Sequence, residues 1–274
     1  METKAYPGIK NAILLCVLLL GIQLVAGAIL GILSAVLNIE EGSAISGIGY
    51  ILISLLSFGL VIFIGFRKSK KTFNEVFMFN KVSLNIWIPS IIFMFGIVIL
   101  SSEIDNVLHY FLPMPQFFQD VFAAMMINEY LIISIILIGI LPAFLEEMLF
   151  RGLMLNGFKE NYSHKKTILI TALLFGVIHL NPWQFVTAFI IGLIAAWVCL
   201  KIKSIVICVY MHLFNNLLFV FAMKYNDVVS IQGFNSSLVE HSFQPWWFNV
   251  IGIVLAAVGA IFLIKNIKQL EIKE

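Results

Sequence analysis

The stretch PAFLEEMLFRG, Pro142 to Gly152, places two adjacent carboxylates and an arginine in an otherwise apolar run. Each charge near the centre of a bilayer costs about 2.5–3.5 kcal/mol. The surrounding chain is equally apolar, because 61% of the 274 residues are hydrophobic and 12% are charged, with a mean hydropathy of +1.02. Soluble domains carry about 25% charged residues. The composition therefore indicates an integral membrane protein, in which intramembrane charges are functional by default.

The composition also excludes several classes of protein and site. A net charge of +2 is too small to indicate a nucleic-acid partner, so the expected surroundings are the lipid bilayer. Cys16, Cys199 and Cys208 stand alone in apolar runs, which predicts neither disulfides nor a thiolate metal site. No hydrophilic block is long enough for a separate soluble unit. Residues 1–274 are thus predicted to form one integral membrane domain.

Apolar runs define the predicted fold. A helix needs about 20 mostly apolar residues to cross the hydrocarbon core. Eight runs approach this length, which predicts an all-α polytopic fold with about eight transmembrane helices. The runs are 11–38, 45–66, 83–100, 130–152, 166–182, 183–200, 204–223 and 246–265. The segment 101–129, which mixes acidic and aromatic residues, is predicted to be an amphipathic interfacial helix outside this count.

The basic residues predict the topology. Lysine and arginine gather in the cytoplasmic loops of membrane proteins. The eight runs assign 16 of the 17 lysines and arginines to one side of the membrane, and only Lys224 to the other side. An even number of crossings places both termini on the basic side. We therefore predict a protein of the plasma (cytoplasmic) membrane with both termini in the cytoplasm.

All glutamate and histidine side chains inside the runs lie on three helices, at about one depth. Glu146, His179 and Asn216 are each 13 residues from a lysine on the basic side, about 20 Å along a helix axis. His212 is nine residues from such a lysine, or about 14 Å. Matching depths on separate helices predict one buried polar site that opens to the cytoplasmic side.

Helical spacing suggests different roles for the two carboxylates. Glu147 and Arg151 are four residues apart and can pair on one helix face. Glu146 lies about 100° away around the helix and has no such partner. We expect Arg151 and Glu147 to give structural support, and Glu146 to take a proton from water as a general base.

The other polar residues complete a predicted catalytic site. His212 and Asn216 are also four residues apart, and both side chains carry N–H groups that stabilise a developing oxyanion. His179 is expected either to orient the water beside Glu146 or to bind a metal. Asn215 is predicted to form an interhelical hydrogen bond. A buried water that is activated by a carboxylate and faces hydrogen-bond donors is suited to hydrolysing an amide bond.

Three segments resemble a known family. EEMLFR (146–151), FGVIH (175–179) and HLFNN (212–216) are similar, in this order, to the EExxxR, FxxxH and HxxxN/B motifs of the CPBP family of intramembrane proteases. This family is also called the CAAX protease and bacteriocin-processing family, or ABI family, and includes the Rce1-like prenyl-protein endopeptidases. The resemblance covers about residues 130–220.

The resemblance implies a fold and a mechanism. The expected fold has eight helices around a conical cavity open to the cytoplasm and the membrane. Glu146 and His179 would activate the water, and His212 and Asn216 would form the oxyanion site. Arg151 would have a structural role.

The metal requirement stays open at this point. Enzymes of this family are usually described as metalloproteases. Glu146, His179 and His212 are the residues that could form a zinc site with two histidines, one glutamate and an open position. The chain has no HExxH helix, however, and the same residues suit a metal-free mechanism.

The substrate and one non-enzymatic alternative stay open as well. The expected substrate is a membrane protein, a lipopeptide or a peptide, with a lipidated CAAX-like protein among the candidates. The alternative is a non-catalytic protein, either a bacteriocin-immunity factor or a membrane scaffold. A small-solute transporter is disfavoured because no internal repeat is visible.

Overall fold

The computed structural model describes residues 5–116, 118–119, 130–235 and 242–273, and these residues contain helices and no strands. We number the helices in chain order. They are α1 (Ile9–Leu37), α2 (Ala44–Ser69), α3 (Phe73–Phe77), α4 (Leu84–Phe111), α5 (Leu131–Asn161), α6 (His164–Val177), α7 (Pro182–Ile202), α8 (Ile205–Lys224) and α9 (Trp246–Lys273).

Seven helices of the described ranges are long and apolar enough to cross a membrane. They are α1, α2, α4, α5, α7, α8 and α9. The protein is therefore an integral, polytopic membrane protein with an all-α fold, as its composition predicted.

The predicted run 166–182 contains the short helix α6, which is not among these seven helices. This helix has 14 residues, which corresponds to about 21 Å, so the turn that follows it completes the path from the basic end of the bundle to Trp183 at the opposite end. The chain leaves the helix after Val177, and Leu180 adopts a left-handed φ of 56°. Asn181 then caps α7 by accepting a hydrogen bond from Gln184 N at 2.7 Å. The run 166–182 thus ends in a turn before α7.

One correction concerns the predicted interfacial helix. α4 continues to Phe111 and includes the first part of the segment 101–129. Glu103 is satisfied at this end of α4, where its carboxylate accepts hydrogen bonds from Asn106 Nδ2 at 3.0 Å and Gln244 N at 2.9 Å. The polar residue Glu103, part of the segment that suggested a separate helix, instead joins the end of α4 by a hydrogen bond to Gln244, which precedes α9. Residues 117 and 120–129 lie outside the described residues.

The basic loops meet at one end of the helix bundle. Hydrogen bonds or ion pairs join Ala5 to Asn161, Lys71 to Glu160, Asn80 to Lys203 and Asn85 to Asn266. At the opposite end, Trp183 Nε1 donates to the carbonyl of Leu112 at 2.7 Å. The side of the membrane on which the basic end lies stays a prediction.

The short helix α3 supports α5 from the basic end. Thr72 and Glu75 form a capping box at its start, and the hydrogen bonds from Thr72 lower the pKa of Glu75. Asn156 of α5, which is 3% exposed, donates through Nδ2 to the carbonyl of Val76 at 3.0 Å. This hydrogen bond holds the C-terminal part of α5, the helix that carries Glu146 and Glu147.

Helices α4 and α9 pack closely through glycines. A Cβ atom at Gly259 would lie 2.3 Å from the backbone nitrogen of Phe93, and one at Gly96 would lie 2.3 Å from that of Ala256. Backbone atoms cannot move aside as the end of a side chain can. Close approach of these two helices therefore requires glycine at both positions.

Gly259→Ala is accordingly expected to separate α4 from α9 and to lower the free energy of unfolding by about 1–3 kcal/mol. Thermal unfolding in detergent measures this change. Gly27→Ala on α1 is the matched control, because a Cβ atom there meets nothing within 4 Å among the described residues. Equal midpoints for the two variants would contradict the prediction.

Candidate functional site

Helix α5 carries the two carboxylates between two π-helical segments. The segments are Ile135–Ile140 and Met148–Met154, and an α-helical stretch, Leu141–Glu147, separates them. Glu146 and Glu147 are the last residues of this stretch. π-Helical turns are rare and occur frequently at functional sites. The local backbone therefore marks the same region of α5 that the sequence singled out.

Glu147 forms the centre of a buried charged network. Arg151 Nη1 donates to Glu147 Oε1 at 2.9 Å, so the predicted pair is present. Glu147 is only 1% exposed and Arg151 is 0% exposed. The same oxygen lies 2.9 Å from Nδ1 of His212 on α8, a contact that the sequence analysis missed. Glu147 therefore links α5 to α8, while Arg151 Nη2 donates to the carbonyl of Gly192 on α7 at 3.4 Å.

Glu146 has a different environment from its neighbour. Its side chain is half-buried, and it forms no hydrogen bond or ion pair with any other described residue. Glu147 is occupied by a guanidinium and an imidazole. Glu146 is thus the carboxylate of this pair that is available to a water molecule or a substrate.

The ring of Phe175 on α6 brings three polar side chains together. Its centroid lies 4.3 Å from Arg151 Cζ. The rings of His179 and His212 meet it edge to face, at centroid distances of 5.3 and 5.9 Å. Polar side chains of α5, of the turn after α6 and of α8 therefore converge at this phenylalanine. Phe175 is part of the FGVIH motif, but its position in the sequence does not indicate this role.

Each of the two histidine rings, His179 and His212, is held by a hydrogen bond at Nδ1. His179 Nδ1 lies 2.8 Å from the carbonyl oxygen of Phe175, which can only accept, so this nitrogen carries the proton. The carboxylate of Glu147 fixes the Nδ1 proton of His212 in the same way. Nε2 of each ring is then the nitrogen that can act in the site.

The two asparagines of α8 form a short hydrogen-bonded chain to α5. Asn216 Nδ2 donates to the carbonyl of Ile138 at 2.9 Å, within the first π-helical segment. Asn215 Nδ2 donates to Asn216 Oδ1 at 2.9 Å. The interhelical hydrogen bond predicted for Asn215 is not formed among the described residues. Asn216 makes the interhelical bond instead.

The predicted zinc ligands are not grouped as a metal site requires. Across the described parts of the chain, no three side chains of His, Cys, Asp or Glu lie together in an arrangement that could hold a metal ion. Glu146, His179 and His212 therefore do not fit a three-ligand site in this arrangement. No step proposed below involves a metal, and zinc stays a prediction that chelation tests.

The sequence of this site matches a protein family. Residues 128–218 match the family model described as type II CAAX prenyl endopeptidase, Rce1-like. This stretch, the Rce1-like segment, is similar to that family. The Rce1-like segment covers about a third of the 274 residues and contains all candidate site residues, from Glu146 on α5 to Asn216 on α8. The similarity of this segment to a family of endopeptidases indicates protease activity in general.

The matched segment does not include the remaining helices. α1, α2, α3, α4 and α9 lie outside the Rce1-like segment. The comparison with curated proteins and the comparison with solved structures each gave no significant match.

Proposed function

We propose that the protein is an intramembrane endopeptidase in which Glu146 and His179 activate the hydrolytic water. The observation that supports this best is the contrast between the two adjacent glutamates. Arg151 and His212 occupy Glu147, whereas Glu146 has no partner among the described residues. A carboxylate that is held near a bilayer centre without a partner is costly, and catalysis gives a reason for it.

The first step is the attack of water on the peptide carbonyl. Nε2 of His179 accepts a hydrogen bond from the water and orients it. Glu146 removes a proton, and the oxygen forms a bond to the carbonyl carbon. A general base at this position contributes about 10²–10⁴-fold to the rate.

The second step is the stabilisation of the oxyanion. Asn216 donates from its amide nitrogen, which has two N–H groups. His212 donates from Nε2 when its ring is doubly protonated, and the Glu147 carboxylate beside Nδ1 is the counter-ion that such a ring needs. Removal of one such donor typically costs about 10²–10³-fold in kcat.

The final step breaks the carbon–nitrogen bond. The tetrahedral intermediate re-forms a carbonyl, and protonated Glu146 gives its proton to the leaving amine. The proton taken from water thus ends on the new amino terminus, and Glu146 returns to its starting charge. Glu147 and Arg151 stay paired throughout and keep His212 in place.

The proposed substrate is a membrane protein, a lipopeptide or another membrane-associated peptide. The site lies on helices that are long and apolar enough to cross the bilayer, so a substrate must reach it from within or beside the membrane. Lipid modification of the CAAX type is one way to hold a peptide there. We further propose that the basic end faces the cytoplasm, with the protein in the plasma membrane.

Cleavage of a quenched, lipid-modified peptide library by the purified protein in nanodiscs tests this proposal. We expect products whose masses identify one preferred bond. The same peptides without the lipid are the matched substrates and should be cut more slowly. A parallel reaction after chelation decides between a metal-dependent and a metal-free enzyme.

Absence of cleavage across the library would contradict the protease proposal. A non-catalytic immunity or scaffold protein would then be the better account of the site. Direct binding of a bacteriocin-type peptide to the same nanodiscs would distinguish those two roles.

A further inference from the structure

We infer that Asn215 is a positioning residue, which holds the Asn216 amide so that one of its N–H groups reaches the oxyanion. This inference rests on the proposed function, in which Asn216 is an oxyanion donor. Asn215 touches neither the water nor the substrate in that function. It acts through its neighbour.

The Ile138 carbonyl decides which way the Asn216 amide faces. A carbonyl oxygen can only accept a hydrogen bond, so the group 2.9 Å from it must be the amide nitrogen of Asn216. The amide oxygen of Asn216 then points in the opposite direction. There it receives Nδ2 of Asn215 at 2.9 Å, which is again the only chemically consistent pairing.

Two bonds at opposite ends fix the plane of the Asn216 amide. One N–H of Nδ2 is used by Ile138, and the second has no partner among the described residues. An amide held at only one end can rotate about its terminal torsion, which is broad for asparagine. Its oxygen would then face the developing oxyanion, and two acceptors repel each other. Asn215 prevents this rotation.

The two hydrogen bonds of the Asn216 amide also make its remaining N–H a stronger donor. Hydrogen bonds in series polarise one another, and the low dielectric of the interior increases the effect. Asn215 donates to the oxygen of Asn216, which draws electron density from the nitrogen. The remaining N–H is therefore a better donor to a negative oxygen.

Kinetics of Asn215 variants test the positioning role. Asn215→Ala is expected to lower kcat about five- to tenfold and to leave KM unchanged, because the oxyanion exists only in the transition state. Asn215→Asp should lower kcat further, since its carboxylate faces the oxygen of Asn216. In the Asn216→Ala background, Asn215→Ala should have no further effect.

The matched control is Asn266→Ala on α9. It removes an amide-to-carbonyl bond of the same type, 2.7 Å long, to the carbonyl of Asn85 at the basic end. This variant should keep the wild-type kcat. An equal loss of kcat in Asn215→Ala and Asn266→Ala would overturn the inference, as would a further loss in the Asn216→Ala background.

Side-chain amide signals give a second test that does not depend on activity. With ¹⁵N-asparagine in nanodiscs, Asn215→Ala and Asn215→Asp should shift the Asn216 side-chain pair, and Asn266→Ala should not. Unchanged Asn216 signals would overturn the positioning of the amide. If the wild type cuts no peptide, the protease proposal fails, and these spectra still decide whether Asn215 holds Asn216.

Discussion

Glu146→Gln is expected to abolish measurable peptide cleavage, with kcat/KM lowered by about 10²–10⁴-fold. Glutamine has the size and shape of glutamate and cannot take a proton from water. Glu146 makes no bond to another described residue, so the fold should not change. Initial rates on the best peptide of the library, with thermal unfolding of the same nanodisc samples, measure both effects.

A conservative control separates loss of the base from loss of a charge. Glu40→Gln removes a carboxylate from the exposed loop between α1 and α2, and it should keep the wild-type rate. A Glu146→Gln protein that cuts as fast as this control would show that Glu146 is not the general base. The division of roles between Glu146 and Glu147 would then be wrong.

Arg151→Met is expected to produce the largest loss of stability. Arg151 is fully buried and Glu147 nearly so, and their side chains meet at 2.9 Å. Breaking a buried ion pair by removal of one partner costs about 3–5 kcal/mol, because the other charge stays buried without compensation. The unfolding midpoint in detergent should fall accordingly, and Glu147→Leu should cause a comparable loss.

The double variant Glu147→Leu/Arg151→Met tests whether the two charges are coupled. Replacement of both partners by apolar residues removes the unpaired charge, so its stability should exceed that of either single variant. Activity should stay low, because His212 loses the carboxylate that holds Nδ1. Additive losses of stability in the double variant would contradict the coupling.

The ion pair was predictable because its signal is local. Residues four apart on a helix face each other, and Glu147 and Arg151 are the only oppositely charged residues of α5 at that spacing. The pair forms although Arg151 lies in a π-helical segment. Matching depth similarly predicted that polar residues of three helices belong together, and the rings around Phe175 show this for His179 and His212.

The contact between Glu147 and His212 was not predictable in the same way. The two residues are 65 positions apart, and spacing within one helix says nothing about which side chain of another helix lies opposite. Helical spacing therefore predicts a pair of His212 with Asn216, and a pair of Glu147 with Arg151 alone. The rotation of α8 against α5 decides this contact, and only packing sets that rotation.

Helix ends were also poorly predicted, for a physical reason. Hydropathy measures how apolar a run is and does not detect where its hydrogen bonding stops. The run 166–182 stayed apolar beyond Val177, but the left-handed Leu180 and the cap at Asn181 end the helix early. The apolar run 83–100 stopped before Glu103. Helix α4 nevertheless continues past this residue, because Asn106 and the backbone of Gln244 satisfy its carboxylate.

The π-helical segments of α5 have a consequence for insertions and deletions in this protein. A π-helical turn holds one residue more than the i→i+4 pattern of an α-helix uses. Each residue turns an α-helix by about 100°, which is also the angle between Glu146 and Glu147. Loss of a single residue from Ile135–Ile140 or Met148–Met154 would return that turn to the α-helical pattern and leave the two parts of α5 facing as before. Loss of one residue from the α-helical stretch Leu141–Glu147 would instead turn one part against the other by this angle, and would exchange the glutamate side chain that faces α8.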